Sequence, residues 1–209
     1  MIDAISLDFL TRAKSKRRRL SDLATVLGGK RLPKGHDYCS EETGYKYLRV
    51  VDIQKENLRR ADLKNLSAES FKSISRYVVK EDDVVITIAG TIGVTRHIDS
   101  RLSGVNLTEN AAKIVLLDRN KLDPVYLTYA LRSQDLQAQI RASTGQVTIG
   151  KLALFRIEAL EIPLPSIDEQ RRFRNEVAQA QKMREVFARS KMVADSLFVS
   201  LQERVFSEA

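Results

Sequence analysis

The feature that most constrains this chain is residues 162–173, Ile-Pro-Leu-Pro-Ser-Ile-Asp-Glu-Gln-Arg-Arg-Phe. Two prolines end an extended segment, because proline cannot donate a backbone hydrogen bond to a sheet. Ser166 and Glu169 follow with the spacing of a capping box, the reciprocal side-chain to backbone bonding that starts a helix. The spacing predicts one long helix over residues 166–209. Roughly 40 helical residues at 1.5 Å each would extend about 60 Å.

An apolar stripe follows this predicted helix at three- and four-residue spacing. Its members are Phe173, Val177, Ala180, Met183, Phe187, Ala194, Leu197, Leu201 and Val205. The members at positions 180, 187, 194 and 201 are seven residues apart, which is coiled-coil spacing. The pattern predicts a dimerisation and spacer helix that pairs with a partner helix. The alternative is a terminal helix folded onto its own domain.

Residues 1–165 carry both strand and helix signals and predict a globular α+β domain with a mixed sheet. Runs of β-branched and aromatic residues predict strands at 45–53, at 91–98 and at 111–118, and two short strands around an acidic turn at 77–90. Asp123 followed by Pro124 predicts the start of a helix that continues to residue 142. The remainder to residue 165 predicts a loop, a turn of helix and a final strand.

Two short helices are predicted before residue 30. Residues 1–20 fit a short or loose N-terminal helix whose end is basic, Arg12–Arg19. Ser21 is a suitable cap for a second helix that Gly28 and Gly29 would terminate.

The formal net charge of +8 is unevenly distributed along the chain. Residues 1–34 contain nine Lys or Arg against three acids, whereas residues 166–209 contain eight against seven. A local surplus of basic residues often accompanies nucleic-acid binding, because neutralising phosphates releases counterions. The alternative is that the surplus has no such role, since many cytoplasmic proteins are basic without binding nucleic acid. No apolar run is long enough to span a membrane. The single Cys39 cannot form an internal disulfide, so a reducing, cytoplasmic location is expected.

Motifs for catalysis and metal binding are incomplete in this sequence. Gly28–Lys30 lacks the other residues of a phosphate-binding loop. Residues 123–126, Asp-Pro-Val-Tyr, lack the second proline of a methyltransferase tetrapeptide and fit a helix cap. His36 and His97 have no cysteine pair nearby, which argues against zinc, and Glu81–Asp83 fits a solvated turn. We therefore expect a protein that is not an enzyme and that holds no cofactor or metal itself.

Three segments of the chain, residues 45–53, 82–98 and 143–173, occur in a distinctive order and spacing. Together they resemble the target-recognition domain of Type I restriction–modification specificity (S) subunits. In that family a strand of the kind Tyr-Leu-Arg-x-x-Asp-Ile precedes a Gly-Thr-Ile-Gly hairpin, and a Pro-x-Tyr-Leu-x-x-x-Leu helix follows. The domain then ends in Ile-Pro-Leu-Pro and enters a long helix. This chain has these motifs in the same order at residues 47–53, 90–93, 124–131 and 162–165. The resemblance covers roughly residues 20 to 209.

The resemblance implies a non-catalytic DNA-binding subunit in which each recognition domain contacts one half of an interrupted site. In the family, long antiparallel helices separate two domains, set the spacer length and dock the methyltransferase (M) subunits, and restriction (R) subunits join that complex. AdoMet is therefore expected on the M subunit. A full S subunit has two recognition domains and two long helices. This chain has one of each, so it is either a half-subunit that pairs with a second copy or a piece of a longer chain.

DNA contacts are expected from basic and small polar side chains on loops presented by the sheet. The candidates are Lys30, Arg31, Lys34, His36, Tyr38, Arg49, Arg76, Thr91, Arg96, His97, Asn106, Thr108, Asn110, Arg141, Ser143, Thr144, Gln146, Thr148 and Lys151. The basic run Arg12–Arg19 fits a phosphate contact or a partner surface better than base readout. Any of these basic residues could instead be a solvated surface charge.

Two other classes of function remain open on the sequence alone. A helical adaptor or assembly protein would bind other proteins and show no dependence on DNA sequence. A degenerate methyltransferase would bind AdoMet, and the absence of a Gly-rich loop after an early strand argues against it.

Overall fold

The computed structural model describes Phe9, residues 15–144 and residues 150–207, with side chains for Phe9, residues 15–143, residues 150–200 and Gln202. This part of the chain forms an α+β domain followed by one long helix, as predicted. The strands are β1 (Lys16–Arg19), β2 (Ala24–Gly28), β3 (Tyr38–Cys39), β4 (Lys46–Leu48), β5 (Lys64–Leu66), β6 (Val84–Thr87), β7 (Thr95–His97), β8 (Asn106–Leu107), β9 (Ala111–Leu116) and β10 (Glu161–Leu164). The α-helices are α1 (Val50–Ile53), α2 (Ala68–Ser73), α3 (Pro124–Arg132), α4 (Gln134–Thr144), α5 (Leu154–Glu158) and α6 (Ile167–Ser207).

The described strands form three sheets. The central sheet has the order β2-β9-β6-β7 and is antiparallel throughout. A second sheet has the order β3-β5-β4-β8 and is mixed, because β4 and β8 run parallel. Strands β1 and β10 form a separate antiparallel pair. The predicted mixed β-structure is therefore confirmed, but it is divided among several small sheets.

Strand β6 lies at the centre of the domain and is buried on both faces. Val84 and Ile86 join the larger apolar core, which also contains residues of α3, α4 and α5. Val85 faces the other way and joins a second core with Leu48 and Ile53. Alternate residues of a strand point to opposite faces, so a continuous Val-Val-Ile run suits a strand with packed layers on both sides.

The long helix α6 begins as the sequence predicts and is fixed to the domain by its first turns. Ser166 and Glu169 form the capping box, with the Ser166 backbone N–H donating to Glu169 Oε2 at 2.9 Å. Gln170 is fully buried, and its Oε1 accepts from the Asp123 backbone N–H at 2.9 Å. Arg174 donates to Asp123 Oδ2 at 2.9 Å. The same Asp123 caps α3 through its Oδ1, so the starts of α3 and α6 are joined.

The apolar stripe of α6 divides into two parts. Phe173, Val177 and Ala180 are buried in the core of their own domain, which corrects their expected place on a free dimerisation surface. Beyond them the stripe is exposed: Met183 at 51%, Phe187 at 62% and Leu197 at 58%, with Ala194 exposed too. The side chains of Leu201 and Val205 lie outside those described. The helix is therefore packed into its own domain as far as Ala180, and Arg184 still contacts the domain through its ion pair with Glu56 at 2.6 Å. Residues 183–207, whose described apolar side chains are exposed, are called the arm below.

Of the two helices predicted before residue 30, the second is wrong, and the first is wrong over Lys16–Arg19. Residues 16–19 form β1, because this segment pairs with β10 along its whole length. The four basic side chains of β1 are exposed. Of the rest of the predicted N-terminal helix, the structure describes Phe9, which is helical, Ser15 and Leu20, and residues 1–8 and 10–14 lie outside the described residues. Residues 24–28 form β2, where Ala24 and Val26 are buried and Thr25 is exposed. That two-residue alternation is the strand period, and pairing with β9 overrides the glycine stop signal.

Three further predictions are corrected in the middle of the chain. The strand predicted at 45–53 ends at Leu48 and gives way to α1. In 77–90 one strand forms, β6, while Val78 makes an isolated bridge to Asn106. The helix that starts at Pro124 ends at Arg132, because Ser133 adopts an extended conformation and its hydroxyl accepts from Leu136 N–H, starting α4.

Candidate nucleic-acid interface

Four segments meet at one end of the central sheet, where β2 ends and β9 begins. Gly29 N–H bonds Ala111 O at 3.0 Å and Lys30 N–H bonds Leu107 O at 2.8 Å. The hairpin between β6 and β7 joins them through the Ile88 N–H bond to Asn110 O at 2.8 Å, and the segment before α5 joins through Leu152 N–H to Ile88 O at 2.9 Å. We call residues 29–38, 88–93, 108–110 and 150–152 the sheet-end cluster.

Gly29 permits the closest approach within this cluster. A Cβ atom at this position would lie 2.0 Å from Thr108 O and 2.5 Å from Leu107 O, far inside contact distance. A side chain would therefore separate the loop after β2 from the 108–110 turn. The sequence indicated Gly28 and Gly29 as a helix stop, whereas the structure requires Gly29 for packing.

An open cleft of about 480 Å³ lies beside the cluster and gathers several predicted residues. Its wall includes the predicted Arg31, Tyr38, Arg49, Thr108 and Asn110. It also includes Asp37, Tyr47 and Glu109, which the sequence did not single out. Burial raises the pKa of Tyr47 to about 12, so this hydroxyl stays protonated and donates to Lys30 O at 2.8 Å.

Arg49 is held in a fixed orientation at the cleft. Its Nε and Nη2 donate to the two carboxylate oxygens of Asp52 at 2.8 and 3.0 Å. Asp52 is fully buried, and its hydrogen bonds raise the pKa of Arg49 above the ordinary value. A two-point bond of this kind orients the planar guanidinium, so its remaining N–H groups are preorganised for an acceptor.

The other basic residues of the cluster lie around its rim. Lys34 and Lys151 are exposed, and Lys151 Nζ donates to Glu109 O at 3.1 Å. Lys30 Nζ lies 5.9 Å from the centre of the Tyr77 ring. His36 is partly exposed, with Nδ1 2.8 Å from Ser70 Oγ. The rim therefore presents several cations beside a polar cleft, which is the arrangement that phosphate and base-edge contacts need.

Three predicted residues do not join this interface. Asn106 is fully buried and donates to Ile74 O at 2.7 Å, so it fixes the core. Arg96 donates to Ile53 O at 3.2 Å, and burial lowers the pKa of its guanidinium. His97 pairs with Asp82 at 3.0 Å at the opposite end of β6 and β7 from the cluster. Burial withdraws Asn106 from the cleft, the bond to Ile53 O holds Arg96, and only His97 is separated by its strand position.

The remaining predicted residues have intermediate positions. Thr91 is exposed at the tip of the hairpin within the cluster. Arg76 is exposed in a 3-10 turn next to Tyr77. Arg141 is exposed and Ser143 partly exposed near the end of α4. The Thr144 side chain, Gln146 and Thr148 lie outside the described residues, which resume at Gly150 beside the cluster.

The described residues contain no group of three or more His, Cys, Asp or Glu side chains arranged to hold a metal ion. The same part of the chain has no helix that is both long and apolar enough to cross a membrane.

The comparisons with known proteins agree on one family. Residues 13–173 match the family described as the Type I restriction modification DNA specificity domain. The EcoBI Type I restriction enzyme specificity subunit of Escherichia coli is 28% identical over 136 residues, which is 65% of this chain and 28% of that protein.

Solved structures share the fold at lower identity. An S subunit of a Type I system from M. genitalium gives a TM-score of 0.58 at 20% identity, over 85% of this chain and 41% of that one. The HsdS subunit from Thermoanaerobacter tengcongensis gives a TM-score of 0.61 at 18% identity, over 90% of this chain and 44% of that one. The chain thus spans less than half the length of the relatives that it matches.

Proposed function

Since the chain belongs to the Type I restriction modification DNA specificity domain family, we propose that it is the non-catalytic DNA-recognition component of a Type I restriction–modification system. In this proposal one copy recognises one half of a bipartite site in double-stranded DNA. The observation that carries the proposal is the sheet-end cluster, where a polar cleft with an oriented arginine is surrounded by exposed cations. Residues 1–165 would supply recognition and residues 166–209 the spacer.

The residues of the cluster and of the cleft beside it divide by the contact that each can make. Lys30, Lys34 and Lys151 on the rim would bind phosphates, which fixes register without selecting a sequence. Arg49, held by Asp52, would contact a base edge or a phosphate with its remaining N–H groups. Asn110 and Thr108 add short polar groups at the turn. The described interior of the cleft thus supports direct readout, and its rim supports affinity.

The partners proposed for this chain rest on its family and on the exposed arm. The proposed complex contains M subunits, which would bind AdoMet and methylate, and R subunits, and it would act in the cytoplasm. A second copy of this chain would pair through the arm, whose exposed stripe includes Met183, Phe187 and Leu197. Two copies related by a two-fold axis would recognise identical, inverted half-sites.

Salt-dependent, sequence-selective binding is the direct test of recognition. The purified chain is expected to select a defined sequence from a randomised double-stranded library. The logarithm of its affinity should fall linearly with the logarithm of salt concentration, by about 0.9 per phosphate contacted. Fluorescence anisotropy with the selected duplex and with a scrambled duplex of the same composition measures both properties.

The adaptor alternative makes the opposite prediction. An assembly protein would bind the selected and scrambled duplexes equally at every salt concentration. Equal affinities, or no selected sequence, would remove the proposed DNA-recognition function.

Pairing through the arm is tested by solution mass. Phe187→Glu combined with Leu197→Glu places four charges in the seam of a two-copy pair, where burying them unpaired is costly. The wild-type chain is expected to show twice 23.7 kDa by light scattering, and the double variant 23.7 kDa at the same concentrations.

A matched control lies on the opposite side of the same helix. At 3.6 residues per turn, Met192 and Val199 are about half a turn away from the Phe187 stripe, and both are exposed. Met192→Glu with Val199→Glu should leave the mass of the pair unchanged. A wild-type chain of 23.7 kDa at all concentrations would contradict self-pairing.

A further inference from the structure

Glu109 is an acidic side chain at the centre of an otherwise cationic cluster. Its Oε1 accepts from Arg31 Nε at 2.7 Å, and its Oε2 accepts from Thr108 Oγ1 at 3.0 Å. Tyr47 OH lies 3.4 Å from Oε2, but its proton is donated to Lys30 O. The Glu109 side chain is 21% exposed and lines the cleft. Two donors, the neighbouring Thr108 and the distant Arg31, thus fix the position of one carboxylate.

The charge state of Glu109 follows from these contacts. Burial alone would raise the pKa of the carboxyl, but the Arg31 and Thr108 hydrogen bonds and the charge of Arg31 outweigh burial and lower the pKa below its ordinary value. The group is therefore ionised at neutral pH and can only accept hydrogen bonds. A carboxylate has about four acceptor positions, so the hydrogen bonds from Arg31 and Thr108 leave capacity for another donor.

A negative charge at a DNA-binding surface repels phosphates, so the contact that Glu109 can make is narrowly defined. In the major groove the bases present two kinds of donor, the N4 amino group of cytosine and the N6 amino group of adenine. Every other polar group there is an acceptor. A fixed carboxylate would therefore favour one of these amino groups and disfavour guanine and thymine at the same place.

Arg31 narrows the choice between cytosine and adenine. Its Nε is bound to Glu109, and its side chain is 77% exposed, so both terminal nitrogens can donate outward. In a C·G pair the cytosine amino group lies beside guanine O6 and N7, two acceptors that bind one guanidinium bidentately. In an A·T pair the adenine amino group lies between two single acceptors on different bases. The Glu109 carboxylate next to the two terminal nitrogens of Arg31 therefore matches a C·G pair better than an A·T pair.

We propose that Arg31 and Glu109 act as one unit that recognises a C·G base pair, with Glu109 accepting from cytosine N4 and Arg31 donating to guanine O6 and N7. This inference rests on the proposed DNA-recognition function and adds a specificity-determining residue to it. The ordinary alternative is a surface ion pair that only holds the 29–38 loop. Arg31, one member of the pair, is 77% exposed, and ion pairs at the surface contribute little to stability, so a variant at Glu109 is expected to fold.

The test compares the sequences that three full-length proteins select from a randomised double-stranded library at low salt. Wild type should select a motif that contains an invariant C·G pair. Glu109→Gln should retain the rest of the motif but lose roughly tenfold to a hundredfold of discrimination at that pair, because an amide both donates and accepts and so tolerates adenine. Arg31→Ala should also lower the discrimination at that base pair.

Asp62→Asn is the matched control, because the Arg59–Asp62 pair has nearly the same exposure, 77% and 27%, and does not line the cleft. Its selected motif should equal that of wild type. An unchanged motif for Glu109→Gln would overturn this inference alone, as would an A·T pair at the affected position. A wild-type chain that selects no sequence would overturn the proposed function and this inference with it.

Discussion

Phe173→Ala is expected to lower the free energy of unfolding by about 3–5 kcal/mol, the usual cost of removing a buried phenylalanine ring. Phe173 is fully buried, and its ring centre lies 4.9 Å from that of Phe9 and 5.6 Å from that of Tyr129. The ring joins α6 to α3 and to Phe9, so its loss leaves a cavity where these three meet. Urea unfolding followed by circular dichroism measures the change.

Phe198→Ala is the matched control on the same helix. This ring is 62% exposed, and a surface truncation is expected to change the unfolding free energy by no more than about 0.5 kcal/mol. Both variants are measured at a concentration where the chain is monomeric, because pairing adds stability to the folded state. Equal effects for the two variants would mean that the start of α6 is not part of the core.

The beginning of the long helix could be predicted because it depends on local chemistry. Ser166 and Glu169 lie three residues apart and cap the helix as their spacing requires. Asp123 and Pro124 started α3 for the same reason. The side of α6 that meets the domain could not be assigned, because an apolar stripe has the same spacing whether it contacts its own domain or another chain. Burial of Val177 and exposure of Phe187 distinguish the two.

Strand pairing explains most of the errors in the predicted elements. Residues 24–28 are short, end in glycine and follow a plausible cap, so local signals favoured a helix. Their pairing with β9 involves residues almost ninety positions later in the chain, and no local pattern reports it. β1 presents the same difficulty, since four consecutive basic residues form a strand only because β10 supplies the partner.

The candidate interface was predictable as a set of loops but not as a site. Residue type identified Arg31, Arg49, Thr108 and Asn110, and the fold brings them to one cleft. Asn106 was chosen for the same chemistry, yet it is fully buried. The sequence does not indicate Glu109, because an acidic side chain is not expected at a surface that binds phosphates, although it lies between Thr108 and Asn110. The role of Glu109 depends on its hydrogen bond with Arg31, which is 78 residues away in the chain.

The combined variant Lys30→Ala, Lys34→Ala and Lys151→Ala is expected to weaken DNA binding several hundred-fold at 0.1 M salt, or by about 3–4 kcal/mol. Each phosphate contact contributes about 0.9 to the slope of log affinity against log salt, so three contacts contribute about 2.7. Extrapolated from 1 M salt, where this contribution vanishes, that slope gives roughly a 500-fold loss at 0.1 M. Anisotropy titrations over a range of salt concentrations measure affinity and slope together.

The same charge change elsewhere separates local contacts from net charge. Lys80 and Lys121 lie at the opposite end of the central sheet and Lys191 lies on the arm, and all three are exposed. Their combined replacement by alanine leaves the sheet-end cluster intact and should reduce the slope only slightly. The selected sequence should be the same in both triple variants, because phosphate contacts add affinity uniformly across sequences. Equal losses in the two variants would mean that net charge, and not the sheet-end cluster, determines the binding.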